Sequence, residues 1–314
     1  MRRMPAAVCL ILLLAPASLV PSASGSPVPG APDCEVFPAD NPWNRRVDRL
    51  PVHERSDEIV RSIGADEGLH PDFGSGRYAG GPIGIPFTTV RGDQKKVPIT
   101  FEYADESDPA PYPIPPDAPI EGGPASTGDR HVIVVDRAEC KLYELFAAYP
   151  RDGGESWRAG SGATWDLSSN RLRPKGWTSA DAAGLPILPG LARYDEVRDG
   201  VIEHALRFTV SRSRRAYVYP ARHFASALTS RNLPAMGQRL RLKRGFDISG
   251  FKRQPRIILR ALKRYGMIVA DNGSDWYISG APSPGWNNDA LHILSEVEGR
   301  HFEVIDASSL RPGS

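Results

Sequence analysis

Short runs of β-branched and aromatic residues, bounded by Gly, Pro, Asn, Asp or Ser, dominate the hydrophobic pattern of the chain after Gly64. Such runs are typical of β-strands. Their number and irregular spacing predict a mainly β (α+β) chain, folded as one antiparallel β-sandwich or jelly-roll-like domain with a few short helices packed on it. The predicted strands are 83–90, 96–103, 131–137, 141–149, 162–167, 203–210, 216–220, 239–242, 267–271, 276–279 and 302–305.

Helical periodicity is rare in this chain. The strongest signal covers residues 255–265, where apolar residues recur on one face and basic residues project elsewhere. A helix at residues 56–63 would be capped by Ser56 and ended by Gly64. The two weaker predicted helices are 179–183 and 222–228.

The N-terminus is typical of a secretory signal, with Arg2 and Arg3 before an apolar run and small residues Ala23, Ser24 and Gly25 at the cleavage point. The apolar run is too short to span a bilayer. We therefore expect a freely released extracellular or periplasmic protein with no membrane association after signal removal. The predicted organisation is a signal at 1–25, a flexible segment at 26–36, one β-rich catalytic or binding domain at 37–308 and a C-terminal tail at 309–314.

Charge limits the choice of partners. The whole chain carries a net charge of +2, and without Arg2 and Arg3 it has 37 basic and 37 acidic residues. Strong attraction to nucleic acid or to an anionic membrane is not expected at that balance. We expect a monomer that binds no nucleic acid.

Two cysteines remain after signal removal, because Cys9 lies within the apolar run of the signal. Free thiols seldom persist in an oxidising compartment. Cys34 and Cys140 are therefore predicted to form a disulfide.

The chain has no Gly-x-Ser-x-Gly elbow, Walker loop, dinucleotide fingerprint or His-Glu-x-x-His helix. Carboxylates are the next candidates for chemistry. Glu144 shares a predicted strand face with Leu142 and Phe146, which places it either at a sheet edge or in a cleft where its pKa would rise. Asp166 stands beside Trp165, and an acid pair with aromatic neighbours suits glycoside hydrolysis.

Histidines provide further catalytic candidates. His204 shares its predicted strand face with apolar residues, so it is either a core histidine bonded to the backbone or a general base. His131 and His223 lie at strand ends, where loops commonly carry functional groups. No two histidines have the spacing of metal ligands, so no zinc centre is expected.

Substrate-binding candidates surround these groups. Trp276, Tyr277 and Trp286 would form either an aromatic platform for a sugar ring or part of the core. Thr178 and Asp181 resemble a capping box, which indicates either a simple helix start or an anion site. The candidate substrate-binding residues are Arg207, Trp165, Trp177, His223, Asp271 and Trp276.

Residues 104–124 are rich in proline and carry five carboxylates. This composition predicts a rigid surface loop. The alternative is a calcium site, because such ions need several oxygens from one pliable stretch. No other cofactor is expected.

Five segments carry a resemblance: NPWN at 41–44, LHPDFG at 69–74, ADESDP at 104–109, GWTSADAAGLPILPG at 176–190 and YGMIVADNG at 265–273. On these segments, which are spread over nearly all of the chain after the signal, the sequence resembles an uncharacterised family of secreted bacterial proteins. The resemblance implies secretion, but it implies no reaction and no catalytic residue.

Two functions fit the pattern. The first is an extracellular enzyme acting on polysaccharide, with Glu144 and either Asp166 or His204 as acid and base. It would be a glycoside hydrolase or a lyase, and a lyase would need a base such as His204 or Tyr219 and either a cation or Arg207 to neutralise a uronate. The second is a non-catalytic carbohydrate-binding or cell-wall-associated protein. Polysaccharide or cell-wall glycan is the expected partner of both.

Overall fold

Short strands carry most of the regular structure in residues 26–312, the part of the chain that the computed structural model describes. The predicted mainly β, sandwich-like α+β architecture is confirmed. The strands are β1 (Pro27–Val28), β2 (Ala31–Glu35), β3 (His70–Asp72), β4 (Arg77–Tyr78), β5 (Gly81–Pro82), β6 (Phe87–Val90), β7 (Ile99–Phe101), β8 (Val132–Asp136), β9 (Lys141–Phe146), β10 (Tyr149–Arg151), β11 (Ser156–Ala159), β12 (Ser161–Asp166), β13 (Leu206–Val210), β14 (Arg239–Leu242), β15 (Met267–Asn272), β16 (Tyr277–Ser279) and β17 (Phe302–Val304).

Two sheets position the candidate site. One has four strands in the order β12-β9-β8-β6, and the other has six in the order β17-β14-β15-β13-β16-β3. Three smaller sheets in residues 26–312 are β10-β11-β7, β1-β2 and β4-β5. Eight of the twelve strand pairs in this part of the chain are antiparallel and four are parallel. The sheets are thus mainly antiparallel, with parallel pairs where the chain crosses between distant strands.

Four α-helices pack on these sheets: α1 (Ser56–Ile63), α2 (Tyr194–Asp199), α3 (Arg253–Arg264) and α4 (Asn288–His292). Helix α1 has the predicted bounds, and Gly64 with φ 120° ends it. Ser56 does not cap this helix; its hydroxyl oxygen accepts the N–H of Val304 in β17. Single 3₁₀ turns lie at Ala104–Glu106, Asp152–Gly154, Leu188–Gly190, Ile293–Glu296, Gly299–His301 and Ser308–Leu310.

Both faces of the four-stranded sheet are buried. Alternation along a strand sends successive side chains to opposite faces. One face packs into the large cluster that it shares with the six-stranded sheet and α3, and it includes Ile133, Val135, Leu142, Ala163 and Trp165. The other face packs on the three-stranded sheet through Val132, Val134, Tyr143 and Leu145.

Several sequence predictions were wrong in detail. Residues 179–183 and 222–228 form turns and irregular backbone rather than helices, and residues 216–220 form no strand beyond one isolated bridge at Tyr217. The strand predicted at 203–210 begins only at Leu206, which changes the environment expected for His204. The short helices α2 and α4 had not been predicted.

The N-terminal part of the described chain is ordered by pairing rather than flexible. Residues 26–36 contain the antiparallel pair β1-β2, which buries Val28 and Ala31. The predicted Cys34–Cys140 disulfide is confirmed, with the two Cα atoms 5.2 Å apart. Such bonds form in oxidising compartments. The signal predicted at 1–25 lies outside the described residues, and within the predicted tail Leu310 is buried.

None of the helices between residues 26 and 312 combines the length and the apolar character that a bilayer crossing requires.

Candidate functional site

Two carboxylates and one arginine meet beside the parallel strands β13 and β15, and we call Asp181, Arg207 and Asp271 the acid centre; Arg207 lies near the start of β13 and Asp271 near the end of β15. Asp181 is fully buried and accepts two hydrogen bonds from Arg207, Nε to Oδ2 at 2.7 Å and Nη2 to Oδ1 at 2.5 Å. A third guanidinium nitrogen, Nη1, donates to Ser279 Oγ at 2.6 Å. This bidentate geometry is the strongest form of the arginine–carboxylate pair.

Asp271 reaches the acid centre because β15 is irregular next to it. The register between β13 and β15 shifts between Phe208 and Thr209, so that Thr209 lies opposite Asp271. Such bulges redirect a side chain. Asp271 Oδ2 then lies 3.8 Å from Arg207 Nη2 and accepts the N–H of Ala182 at 3.3 Å.

The pKa of Asp271 is raised to about 8, first by burial and then by the negative charge of Asp181, against the opposing effect of Arg207. The raised pKa favours the protonated form of Asp271 at neutral pH. Asp181 is instead engaged by the two hydrogen bonds from Arg207. About a fifth of the Asp271 side chain is exposed, and it can therefore exchange that proton with a bound molecule.

The exposed part of Asp271 opens into a pocket of about 170 Å³, which we call the acid pocket. Its wall includes the exposed carboxylate Asp129 and the rings of Tyr103 and Phe146. His223 stands beside it, with Nδ1 2.8 Å from the carbonyl oxygen of Ala182 and Nε2 3.9 Å from Glu106 Oε2. One protonated acid and one solvated carboxylate thus share a small concave site.

The loop that carries Asp181 is held by His131. His131 Nδ1 lies 2.6 Å from Glu121 Oε2 and Nε2 lies 3.0 Å from the carbonyl oxygen of Ala180. Burial lowers the pKa of His131, but the charge and hydrogen bond of Glu121 outweigh it and raise the pKa to about 9. The protonated ring donates from both nitrogens, so His131 positions the loop and does not serve as a free base.

A larger pocket of about 770 Å³, which we call the large pocket, lies on the other side of the His131–Glu121 pair. Its wall carries the ring of His70 stacked on Tyr277, with ring centroids 3.9 Å apart, and the exposed ring of Tyr78. His70 and Tyr277 face each other because β3 and β16 pair in that register. Two carboxylates, Asp72 and Glu121, complete the wall, and burial followed by the charge of Glu121 raises the pKa of Asp72.

One segment separates the two pockets. Thr127 and Gly128 line the large pocket and Asp129 lines the acid pocket. The buried guanidinium of Arg130 holds this segment by donating to the carbonyl oxygens of Ala148 at 3.0 Å and Ser126 at 2.8 Å. The pockets are therefore adjacent and share a rim at residues 127–129.

Glu144 lies neither at an edge nor in a cleft. Strand β9 is an inner strand of the four-stranded sheet, and Glu144 lies opposite Ile133 and Ala163 with no solvent exposure. Its carboxylate accepts the N–H groups of Ile187 and Leu188 at 2.9–3.0 Å, which supports the 3₁₀ turn that begins at Leu188. Burial raises its pKa to about 7.

Asp166 does not pair with Glu144. It lies opposite Lys141, three positions along β12 from the partner of Glu144, and therefore on the opposite face of the sheet. It is exposed and accepts hydrogen bonds from Ser168. The predicted acid pair was wrong because the strand register places the two carboxylates on different faces.

His204 lies in a closed interior. Its Nδ1 is 2.8 Å from the carbonyl oxygen of Ala205 and its Nε2 is 3.2 Å from Glu196 Oε2, and Glu196 also pairs with the buried Arg193. No hydrogen bond or ion pair joins it, within residues 26–312, to Glu144, Asp166 or Asp271. Of the two alternatives predicted for His204, the structure thus agrees with the core histidine bonded to the backbone, and the general base in a cleft is wrong.

The predicted aromatic platform is largely core. Trp276 is fully buried and donates its indole N–H to the carbonyl oxygen of Gly64, and Trp286 is also buried. Trp165 is buried and Trp177 half-buried, and the guanidinium of Arg173 lies near both rings, at 5.7 Å and 5.5 Å from their centroids. Of the expected platform, Tyr277 borders a pocket.

The carboxylates of residues 104–124 bind separate partners. Asp108 pairs with Arg173, Glu106 accepts the N–H of Thr178 at 2.8 Å, and Glu121 pairs with His131. No group of three or more His, Cys, Asp or Glu side chains in residues 26–312 is arranged to hold a metal ion. The anion expected at Thr178 is thus the chain's own Glu106, bound at a turn instead of a helix start.

Sequence reasoning missed Asp181 as a pairing partner and did not single out Glu121 or Asp129. The signal for Asp181 was its place in the segment GWTSADAAGLPILPG, which had been interpreted as a capping box. No protein-family model, curated protein or solved structure matches this chain. The resemblance to a family of secreted bacterial proteins stays a prediction, and the function has to be argued from the site itself.

Proposed function

We propose that this chain is a secreted glycoside hydrolase that acts on a polysaccharide, with Asp271 as its general acid. The feature that carries this proposal is the largely buried carboxyl group of Asp271, which lines an open pocket and whose pKa is raised to about 8. Glycosidases need such a group to protonate the leaving oxygen. The pKa of Asp271 is raised first by burial and then by the charge of Asp181, which is held in place by its two hydrogen bonds from Arg207.

The second carboxylate of the reaction is Asp129, the exposed acid in the same pocket. As the bond between the anomeric carbon and the glycosidic oxygen breaks, Asp271 transfers its proton to that oxygen. Asp129 either accepts a proton from the attacking water or attacks the anomeric carbon itself, which are the two roles that a second carboxylate takes in glycosidases. His223 and Glu106 contact the wall of the acid pocket through Ala182 and Thr178, from where they can orient the substrate's hydroxyl groups.

Hydrolysis fits the site better than elimination. A lyase would use Arg207 to neutralise a uronate, but its Nε, Nη1 and Nη2 already donate to Asp181 and Ser279. The proposed lyase bases are also elsewhere: His204 is bonded to Glu196, and Tyr219 borders a different pocket.

The large pocket supports a polymeric substrate. Stacked aromatic rings beside carboxylates suit a sugar ring, whose faces are apolar and whose rim is polar. Because the large pocket and the acid pocket share the rim at 127–129, a chain of sugars bound in the first would extend to Asp271 in the second. Secretion, implied by the N-terminal signal and consistent with the disulfide, would bring a monomeric enzyme to extracellular or cell-wall glycan.

The test compares Asp271→Asn with Asp117→Asn, a control at an exposed aspartate that borders neither pocket. Reducing-end release from a panel of neutral and acidic polysaccharides should fall about 10²–10⁴-fold in Asp271→Asn, the usual contribution of a general acid, and stay unchanged in the control. The native rate should also fall as the pH rises through about 8, because the acid must be protonated to act. Full activity of Asp271→Asn would contradict the proposal.

Non-catalytic glycan binding is the second candidate, and the His70–Tyr277 stack in the large pocket favours it. In that case a polysaccharide in the gel would retard the native protein in affinity electrophoresis, and the protein would release no reducing ends from it. Tyr277→Ala would abolish the retardation, whereas Asp271→Asn would leave it unchanged.

A further inference from the structure

A small basic pocket lies at the start of β14, away from the acid pocket and the large pocket. It has a volume of about 190 Å³ and is formed by the loop around residue 214, the start of β14 and the segment after β17. The polar residues of its wall are His53, Arg214, Tyr219, Gln238, Arg239, Asp306, Ser308 and Arg311.

Arg239 is a buried cation without a carboxylate partner in the described structure. It is 2% exposed, and its guanidinium donates to the carbonyl oxygens of Tyr265, Pro42 and Arg45. Burial, together with the nearby charge of Arg45, lowers its pKa to about 9. A buried charge that only neutral dipoles compensate is costly, and a bound anion would offset that cost.

Two further groups in the pocket have unused hydrogen-bonding capacity. Arg214 Nε is buried and has no partner among residues 26–312, and the same holds for Oε1 of Gln238, a residue only 5% exposed. A half-turn of the amide exchanges Oε1 and Nε2, so Gln238 offers either a donor or an acceptor. The pKa of Arg214 is lowered first by burial and then by the positive charges of Arg231 and Arg55.

The other ionisable groups of the wall do not cancel this charge. The single carboxylate is Asp306, which is exposed and accepts the N–H of Ser308 at 2.9 Å. His53 Nδ1 accepts the N–H of Arg55 at 3.1 Å, so a neutral His53 carries its proton on Nε2 and is a further donor.

We infer that this pocket binds a small oxyanion, a phosphate, sulfate or carboxylate group. Guanidinium groups match oxyanions in geometry as well as in charge. The volume is below the roughly 300 Å³ at which pockets begin to hold drug-sized molecules, which favours a small group over a whole ligand of that size. The site is independent of the acid centre, so it stands whether or not the chain is a hydrolase.

The test is isothermal titration of the whole disulfide-bonded protein with inorganic phosphate, sulfate and acetate in a chloride buffer. At least one of the three should bind saturably, and Arg214→Gln should weaken that binding about tenfold or more, as expected for a charge-assisted hydrogen bond. The control Arg151→Gln removes the same charge from an exposed strand of the three-stranded sheet and should leave binding unchanged.

The three anions distinguish the source of the group. Phosphate or sulfate binding without acetate binding identifies a tetrahedral oxyanion, and acetate binding alone identifies a carboxylate. The inference is overturned if none of the three binds, or if Arg214→Gln and Arg151→Gln bind as the native protein does. Should Arg214→Gln not fold, Arg214→Lys, which keeps the charge but loses the Nε donor, replaces it in the same comparison.

Discussion

Arg207 should be among the most costly side chains to remove, because it is the only cation that hydrogen-bonds to Asp181 in the described structure. Arg207→Met keeps a side chain of similar length and removes the guanidinium. Asp181, which is fully buried, would then lie next to Asp271 with no positive charge between them. The buried carboxylate could not reach solvent and would lack a compensating charge.

The magnitude follows from burial on both sides. The Arg207 side chain is 5% exposed and that of Asp181 is 0% exposed, and removing one partner of such a pair costs about 3–5 kcal/mol. The lost bond to Ser279 contributes about another 1 kcal/mol. Without the guanidinium, folded Asp181 would bind a proton more tightly than the unfolded chain does, so the stability of Arg207→Met should fall as the pH rises above about 4.

Urea unfolding at about pH 4 and about pH 7 measures both effects. The double variant Arg207→Met/Asp181→Asn should be about 1–3 kcal/mol more stable than the sum of the single losses predicts, because it removes the unpaired charge. Arg46→Met is the control: its pair with Asp48 is 54% and 29% exposed and should be worth less than about 1 kcal/mol. Equal losses of unfolding free energy in Arg207→Met and Arg46→Met, or the same loss at both pH values, would contradict this prediction.

Two other buried groups lead to predictions that unfolding measurements can check. Glu144→Gln should be less stable than the native protein at about pH 5, and this difference in unfolding free energy should narrow by up to about 3 kcal/mol by pH 8. The reason is that a carboxyl whose pKa is raised to about 7 stabilises the native fold less as it loses its proton. A difference that widens with pH would contradict this prediction. His204→Gln should lower the unfolding free energy by about 1–3 kcal/mol because it disturbs the contacts to Ala205 and Glu196. The activity of the folded variant should be unchanged. Loss of activity without loss of stability would instead indicate a functional role for His204.

Sequence patterns were sufficient to predict the fold class, most strand positions, the bounds of α1 and the Cys34–Cys140 bond. These features depend on local information. Alternation of apolar residues marks strands, Gly64 ends a helix, and two remaining cysteines allow a single pairing. Strand starts were less accurate. The predicted strand 203–210 begins only at Leu206, so His204 lies outside it and not on the predicted strand face.

Which ionisable groups share an environment depends on how distant segments pack together. Glu144 was placed on the correct strand face by its alternation with Leu142, but the N–H groups that bind it come from 43 and 44 residues away. Arg207 and Asp181 are 26 residues apart in the chain, and Asp271 and the N–H of Ala182 are 89 apart. A local pattern shows the direction in which a side chain points, whereas its pKa and its hydrogen bonds depend on atoms within a few ångströms, which folding brings from distant segments.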